Sequence, residues 1–171
     1  MFLFWTYKKF YPALREILRN MRVFLCAFGS FSLAIPMKSV SSITLYEDNA
    51  RKAVEHKKEN GNTYVALPLL FNLPQAAIKH GIILKNRENE DTQDNSVIEN
   101  KTILLATEIE CEIEIPEKNI YPVPKTLKVM RFSNIFSGIA FYSYTGRAEE
   151  ELILMLKPEK LVKNIKRKLK A

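Results

Sequence analysis

Few residues in this chain of 171 residues combine the side-chain types and spacing that catalysis or metal binding needs. His56 and His80 stand apart, and neither has an obvious acid or nucleophile beside it in the sequence. Cys26 and Cys111 lie in apolar or alternating runs, which is typical of reduced, buried thiols, although a redox pair is the alternative interpretation. Because acid–base or nucleophilic catalysis needs a second group within reach, we expect structural roles for these residues.

Four glutamates form the most regular polar pattern, because they alternate with apolar residues over residues 108–115. Period-two spacing is typical of a β-strand and predicts that the carboxylates share one face: Glu108, Glu110, Glu112 and Glu114. Such a row could bind a basic partner or a metal ion, but one strand supplies no convergent ligands, which favours a solvated face. The sequence also has no glycine-rich phosphate loop, zinc-ligand cluster or nucleophile elbow. We therefore predict no catalytic residue, no metal and no cofactor.

The formal net charge of +7 is concentrated at the two ends of the chain. Residues 157–171 carry +6 and residues 1–21 carry +3, which leaves −2 for the residues between them. The basic C-terminal tail could contact nucleic acid, but it lacks interleaved aromatic residues and any recognition motif, so we predict no nucleic-acid partner. The longest apolar runs are far shorter than the ~20 residues of a membrane-spanning helix, so membrane insertion is not expected.

Most of the chain between these ends has the pattern of short β-strands. Two apolar runs, residues 22–28 and 31–36, are joined by Gly29 and Ser30, and glycine can adopt the positive φ of a hairpin turn. After the last strand, Pro158 and an apolar stripe of helical spacing predict a C-terminal helix. Many short strands separated by turns predict an all-β barrel or sandwich. Further strands are predicted at residues 53–57, 63–70, 81–85, 102–106, 109–115, 138–144 and 151–156.

Two segments are expected to lie outside the packed fold. Residues 86–100 are rich in charge and poor in hydrophobic side chains, which predicts a mobile loop. Residues 1–21 are predicted to be an N-terminal extension of a domain that spans residues 22–171. A mis-assigned start codon and a helix that docks on a membrane surface or a partner are both consistent with this extension. Its removal is expected to leave folding intact.

Several short motifs occur in a defined order between residues 22 and 162. The opening strand pair ends in Ala34, Ile35 and Pro36 and is followed by Val40 and Ile43. The later motifs are residues 65–67, 70–71, 120–124, 136–140 and 152–161. Their order and spacing resemble the CheW family of chemotaxis coupling proteins. An unrelated small barrel with a similar hydrophobic pattern is the alternative interpretation.

This resemblance implies a non-enzymatic adaptor built of two five-stranded SH3-like barrels that share a hydrophobic interior, with a C-terminal helix. It implies a groove that binds the helical hairpin tip of a chemoreceptor, and barrel surfaces that bind the regulatory domain of the histidine kinase CheA. The implied location is the cytoplasm, in receptor arrays at the inner membrane face. The implied receptor-binding residues are Val40, Ile43, Asn60 and Gly61, whereas no kinase-binding residue is identified.

Three positions depart from the family pattern. Asn60 stands where the family commonly has an arginine that is associated with receptor coupling, and Ala66 and Lys157 replace frequent aspartates. An interaction domain of another sensory or motility complex is therefore an alternative function, and an unrecognised small-barrel enzyme is a third. If Val40 and Ile43 are core residues, their substitution should destabilise the fold. If they bind a receptor, Ile43→Ser should weaken that binding while changing the free energy of unfolding by less than about 1 kcal/mol.

Overall fold

A computed structural model describes residues 20–29, 31–46, 56–59, 61–74, 77–85, 101–128, 133–143 and 150–168. The predicted loop at residues 86–100 and residues 1–19 of the predicted extension lie outside this part of the chain, so both remain predictions. The strands are β1 Asn20–Phe28, β2 Phe31–Pro36, β3 Val40–Leu45, β4 His56–Glu59, β5 Asn62–Val65, β6 His80–Leu84, β7 Thr102–Ala106, β8 Glu108–Pro116, β9 Ile120–Tyr121, β10 Phe136–Ser143 and β11 Glu150–Leu156. The α-helices are α1 Leu67–Leu70, α2 Lys125–Lys128 and α3 Pro158–Lys168.

The strands pair into two mixed sheets. Sheet A has the order β8-β1-β2-β11-β10-β9, and sheet B has the order β3-β6-β7-β5-β4. Most neighbouring strands are antiparallel, whereas β11 runs parallel to β2 and β7 runs parallel to β5. The prediction of an all-β fold with a C-terminal helix is confirmed. Pairing among the described strands closes neither sheet on itself, so the two five-stranded barrels are not confirmed.

The hairpin of β1 and β2 forms where the sequence predicted it. Phe28 pairs with Phe31, and Gly29 has a φ of 71°, a backbone conformation that a Cβ disfavours. The N–H of Gly29 donates to Oγ1 of Thr107 at 2.9 Å, which joins this turn to the link between β7 and β8. β1 begins at Asn20, two residues before the predicted start of the domain.

A β-bulge interrupts the row of carboxylates on β8. Leu25 pairs with Cys111 and Cys26 pairs with Ile109, so Glu110 is an extra residue in β8. Ile109 consequently packs against a different hydrophobic cluster from Cys111. The prediction that the four carboxylates share one face is therefore wrong, because the strand changes face at Glu110.

Three hydrophobic clusters stabilise the two sheets. The largest lies between them and includes Phe28 from sheet A and Leu104 from sheet B. Helix α3 packs Leu161 and Ile165 into this same cluster, which explains the apolar stripe in its sequence. A second cluster covers the other face of sheet A, and a third covers the other face of sheet B. Each sheet therefore buries apolar side chains on both faces.

Sheet A curls so that its two edge strands approach each other. β8 and β9 are at opposite ends of the strand order, yet only the 3-10 turn Glu117–Asn119 connects them. Ile115 from β8 and Ile120 from β9 both contact the second cluster. Since Asn20 pairs with Pro116, this curl also places the start of β1 near β9.

Several elements differ from the sequence prediction, and two of these differences have a clear local cause. The strand predicted over residues 63–70 is shorter and is followed by α1, because Pro68 cannot donate to a sheet ladder but is tolerated in the first turn of a helix. Strand β3 was not predicted, since its apolar residues Val40, Ile43 and Leu45 do not keep a strict alternation.

Candidate functional site

β3 is an edge strand of sheet B and begins where the chain crosses from sheet A. The 3-10 turn Met37–Ser39 links the end of β2 to Val40. β3 pairs with β6, with Ile43 opposite Ile82, and its other side has no strand partner among the described residues. An edge strand of this kind is a place where another chain can add a strand by backbone hydrogen bonding.

A β-bulge places Val40 and Ile43 on the same face of β3. The pairing register shifts between Val40 and Ser42, which makes Ser41 an extra residue. In a regular strand, side chains three positions apart would point to opposite faces. With the bulge, the Val40 and Ile43 side chains both contact the cluster between the sheets.

The apolar side chains on this face become more exposed along β3. Val40 is 9% exposed, Ile43 is half-buried, and Leu45 is 77% exposed. The face therefore runs from the shared core into solvent, and an apolar helix that docked on it would extend that core. The sequence analysis missed Leu45. It lies two residues after Ile43, and in a β-strand this spacing places both side chains on the same face.

Among the described residues, the predicted receptor-binding residues lie in two parts of sheet B. Gly61 has a φ of 80° in the turn between β4 and β5, whereas Val40 and Ile43 lie on β3. Three strand spacings separate β3 from β5, which is about 14 Å measured along the sheet. Asn60 lies outside the described residues. The receptor-binding role of these residues remains a prediction, and Val40 is placed in the core.

Arg22 partly neutralises the carboxylates that follow the bulge on β8. Its guanidinium forms an ion pair with Glu112, and its Nε lies 3.9 Å from a carboxylate oxygen of Glu114. Nδ2 of Asn20 also donates to Glu114 at 3.2 Å. These side chains are exposed to solvent, so each ion pair contributes only about 0–1 kcal/mol. The geometry agrees with the interpretation of a solvated strand face.

The cysteines lie in strands of sheet A and the histidines in strands of sheet B. Both thiols are free; Cys26 is buried as predicted, whereas Cys111 was predicted to be buried and is only partly buried, because it lies in β8 at the edge of sheet A. Burial raises the pKa of Cys26 to about 12, and burial and the charge of Glu110 raise the pKa of Cys111. A raised pKa lowers the fraction of thiolate, which is the reactive form of a cysteine. His56 lies in β4 and His80 lies in β6, with β7 and β5 between them in the strand order.

Two other kinds of site were sought in the part of the chain that the structure describes. It contains no group of three or more His, Cys, Asp or Glu side chains placed to hold a metal ion. None of its helices is long and apolar enough to cross a bilayer. Its clearest candidate for a functional surface is the partly exposed apolar face of β3.

Comparison with known proteins gives a match in fold but none in sequence. No family model matches the chain, and no curated protein matches it. Among fourteen matching chains of solved structures is the crystal structure of the scaffolding protein TtCheW from Thermoanaerobacter tengcongensis. That match has a TM-score of 0.53 and 14% sequence identity, and covers 81% of this chain and 85% of the other. Over most of its length, therefore, this chain has a fold similar to that of a CheW scaffolding protein.

Proposed function

We propose that this chain is a non-enzymatic adaptor that couples the cytoplasmic signalling domain of a chemoreceptor to the regulatory domain of a CheA-type histidine kinase. The observation that carries this proposal is the fold, which is similar to that of a CheW scaffolding protein over 81% of the chain. A scaffold acts by binding its partners, and this requires no catalytic group or cofactor. The proposed location is the cytoplasm, in receptor arrays at the inner membrane face, without membrane insertion or nucleic-acid binding.

In this proposal, sheets A and B correspond to the two SH3-like barrels of the CheW family, and the receptor tip docks in the groove between them. The apolar face of β3 supports this role, because it begins at the crossing between the sheets. Ile43 and Leu45 both reach solvent, whereas Val40 supports them from the core. Full burial of one exposed leucine side chain contributes roughly 1.5–3 kcal/mol, enough to make Leu45 an anchor.

Binding of the purified receptor signalling domain tests the role of β3. Leu45→Ser should weaken binding by about tenfold, which corresponds to a loss of ~1.4 kcal/mol, with little change in stability because Leu45 is 77% exposed. Ile43→Ser should also weaken binding, with a larger loss of stability because Ile43 packs against the core. Leu73→Ser is the matched control, since Leu73 is 37% exposed and lies outside β3. Wild-type binding by both β3 variants would contradict the assignment of this strand.

Kinase binding is tested separately, because the receptor and the kinase are expected to use different surfaces. The wild-type chain should bind the regulatory domain of the kinase alone, and should form a three-component complex when the receptor domain is added. Size-exclusion chromatography with light scattering measures the mass of each complex. A chain that binds neither partner would contradict the adaptor function.

A second candidate function is an interaction domain of a different sensory or motility complex. It is favoured by Asn60, which stands where the family commonly has arginine, directly before the turn residue Gly61 with its φ of 80°. If the chain couples receptors, Asn60→Arg should strengthen receptor binding, because it restores the family residue. Absence of receptor binding in both the wild type and Asn60→Arg would favour the second function.

A further inference from the structure

Sheet A carries an exposed aromatic patch, defined here as Tyr121, Phe141 and Leu152, which are 48%, 48% and 52% exposed. Phe141 pairs with Leu152 across β10 and β11, so the two side chains share a face. The rings of Tyr121 and Phe141 meet edge to face, with centroids 6.0 Å apart. Ile139, which pairs with Tyr121, is buried beside them. The aromatic patch is therefore continuous with the packed interior.

The size of the aromatic patch decides what kind of occupant fits it. Three large side chains that are about half exposed leave roughly 300 Å² of apolar surface in water. A stable interface between two folded proteins buries about 800 Å² on each partner. A short apolar segment matches the available area better than a second copy of the fold, and a tether to the same chain raises its effective concentration.

We propose that the aromatic segment at residues 2–11 of this same chain docks on the aromatic patch. These residues lie outside the described part of the structure. A segment so rich in large apolar side chains favours burial against an apolar surface, and aromatic rings pack well against other aromatic rings. The side chains concerned are Phe2, Leu3, Phe4, Trp5, Tyr7, Phe10 and Tyr11.

The start of β1 places this segment within reach of the aromatic patch. Asn20 pairs with Pro116, and Tyr121 follows Pro116 by five residues, a span of at most about 18 Å. The nine-residue step from Tyr11 to Asn20 spans up to about 30 Å when it is extended. The chain before β1 is therefore long enough to return to β9, β10 and β11.

Charge favours the same placement. Lys8 and Lys9 are the only charged residues among residues 2–11. Glu150 is exposed at the start of β11, two residues from Leu152 and on the same strand face. Opposite charges at the rim of an apolar contact help to select its orientation, so a lysine beside Glu150 would align the segment on the aromatic patch.

Trp5 is the single tryptophan of the chain, so its fluorescence reports on this segment directly. In the full-length protein we expect blue-shifted emission and weaker quenching by acrylamide than in the same chain unfolded in guanidinium chloride. The double variant Phe141→Ser with Leu152→Ser should shift emission to the red and raise quenching to the level of the unfolded chain, with an unchanged far-UV circular dichroism spectrum. Leu73→Ser, an exposed leucine outside the aromatic patch, should leave Trp5 emission unchanged.

Three results would overturn the proposal. Trp5 in the wild type could be as accessible as in the unfolded chain, which would show that the segment does not dock. Trp5 could stay protected in the double variant, which would place the docking site elsewhere. Protection could also disappear on dilution together with a dimer measured by analytical ultracentrifugation, which would assign the aromatic patch to a second copy. If the double variant fails to fold, Leu152→Ser alone gives the same comparison at a position that is 52% exposed.

Discussion

The Cys26 side chain links packing in the core to the pH dependence of stability. It is fully buried in the cluster between the two sheets. Removal of the thiol from water is the largest cause that raises its pKa from 9.0 to about 12, and the charge of Glu110 and the neighbouring Cys111 add to this rise. The folded protein therefore holds the Cys26 proton more tightly than the unfolded chain does.

We expect the free energy of unfolding to fall as the pH rises from 9 toward 12. Below pH 9 the thiol is protonated in both states; above it the unfolded chain releases the proton first, which lowers stability by up to about 1.4 kcal/mol per pH unit. Denaturant unfolding from about pH 8 to about pH 10.5 measures this slope. Cys26→Ala should remove this thiol's part of the slope, and Cys111→Ala should retain it. Equal slopes in Cys26→Ala and the wild type would contradict the assignment.

At the scale of single residues, the sequence predicted the burial of Cys26, but it did not predict which side chains share a strand face. Cys26 lies in a continuous apolar run, and its prediction as a buried thiol is confirmed. For Val40 and Ile43, the sequence did not decide between a buried core position and an exposed binding position. Their shared face depends on the bulge at Ser41, which arises from pairing with β6 about 40 residues later in the chain and leaves no local pattern.

Strand β9 lies so close to β10 that there is no room for a side chain at Gly138. A Cβ on Gly138 would lie 2.6 Å from the carbonyl oxygen of Tyr121 and 2.7 Å from Cγ2 of Ile120. The first of these contacts is with backbone, which cannot rotate out of the way. Since β9 has only two residues, it pairs with β10 over a short length, opposite Ile139 and Ala140.

Gly138→Ala should push β9 away from β10 and lower the free energy of unfolding by about 1–3 kcal/mol, as overpacking does. Hydrogen exchange at the amides of Ile120 and Tyr121 should accelerate more than exchange in the rest of sheet A. Ser137→Ala is the neighbouring control: it removes the hydrogen bond that Oγ of Ser137 donates to the carbonyl oxygen of Met155, which should cost about 0.5–1.5 kcal/mol, but it adds no atom next to β9 and should leave exchange there unchanged. Unchanged exchange in β9 of Gly138→Ala would show that the strand tolerates the added carbon.

Elements with strong local patterns could be predicted from the sequence. β7 has the predicted bounds, Thr102–Ala106, because a short apolar run between polar residues is typical of a buried strand. α3 begins at Pro158, where proline suits the first helical turn. The bulge at Glu110 could not be predicted, because the alternation of glutamates continues through it without a break.

At the scale of the whole molecule, residues 86–100 belong to the connection between β6 and β7, two strands that pair with each other. β6 and β7 pair antiparallel, with Leu84 opposite Thr102, on either side of this connection. We expect limited proteolysis to cut within residues 86–100 first, because the segment is rich in charge and poor in hydrophobic residues. The cut protein should stay assembled and keep its partner binding, as measured by size-exclusion chromatography and pull-down. Full protection of this segment in the free protein would contradict the prediction.

The order of the strands could not be derived from periodicity. A repeat of two or of 3.6 residues indicates which side chains face inward, but it carries no information about which strands are neighbours. The parallel pairing of β2 with β11 brings Leu33 beside Leu154, across most of the chain. Only the resemblance to a known family implied two units with a shared interior, and the pairing of the described strands leaves both sheets open.

Sheet B is built from one continuous stretch of chain, β3 to β7, whereas sheet A combines β1 and β2 with strands from the second half of the chain. During synthesis, sheet B can therefore fold while sheet A is incomplete. β11, which lies between β2 and β10, leaves the ribosome roughly 120 residues after β2, an interval of about 6–24 s at ordinary rates of translation. For that time the edge of β2 that later pairs with β11 has no partner from β11 in the nascent chain, and an unpaired strand edge favours pairing with other chains.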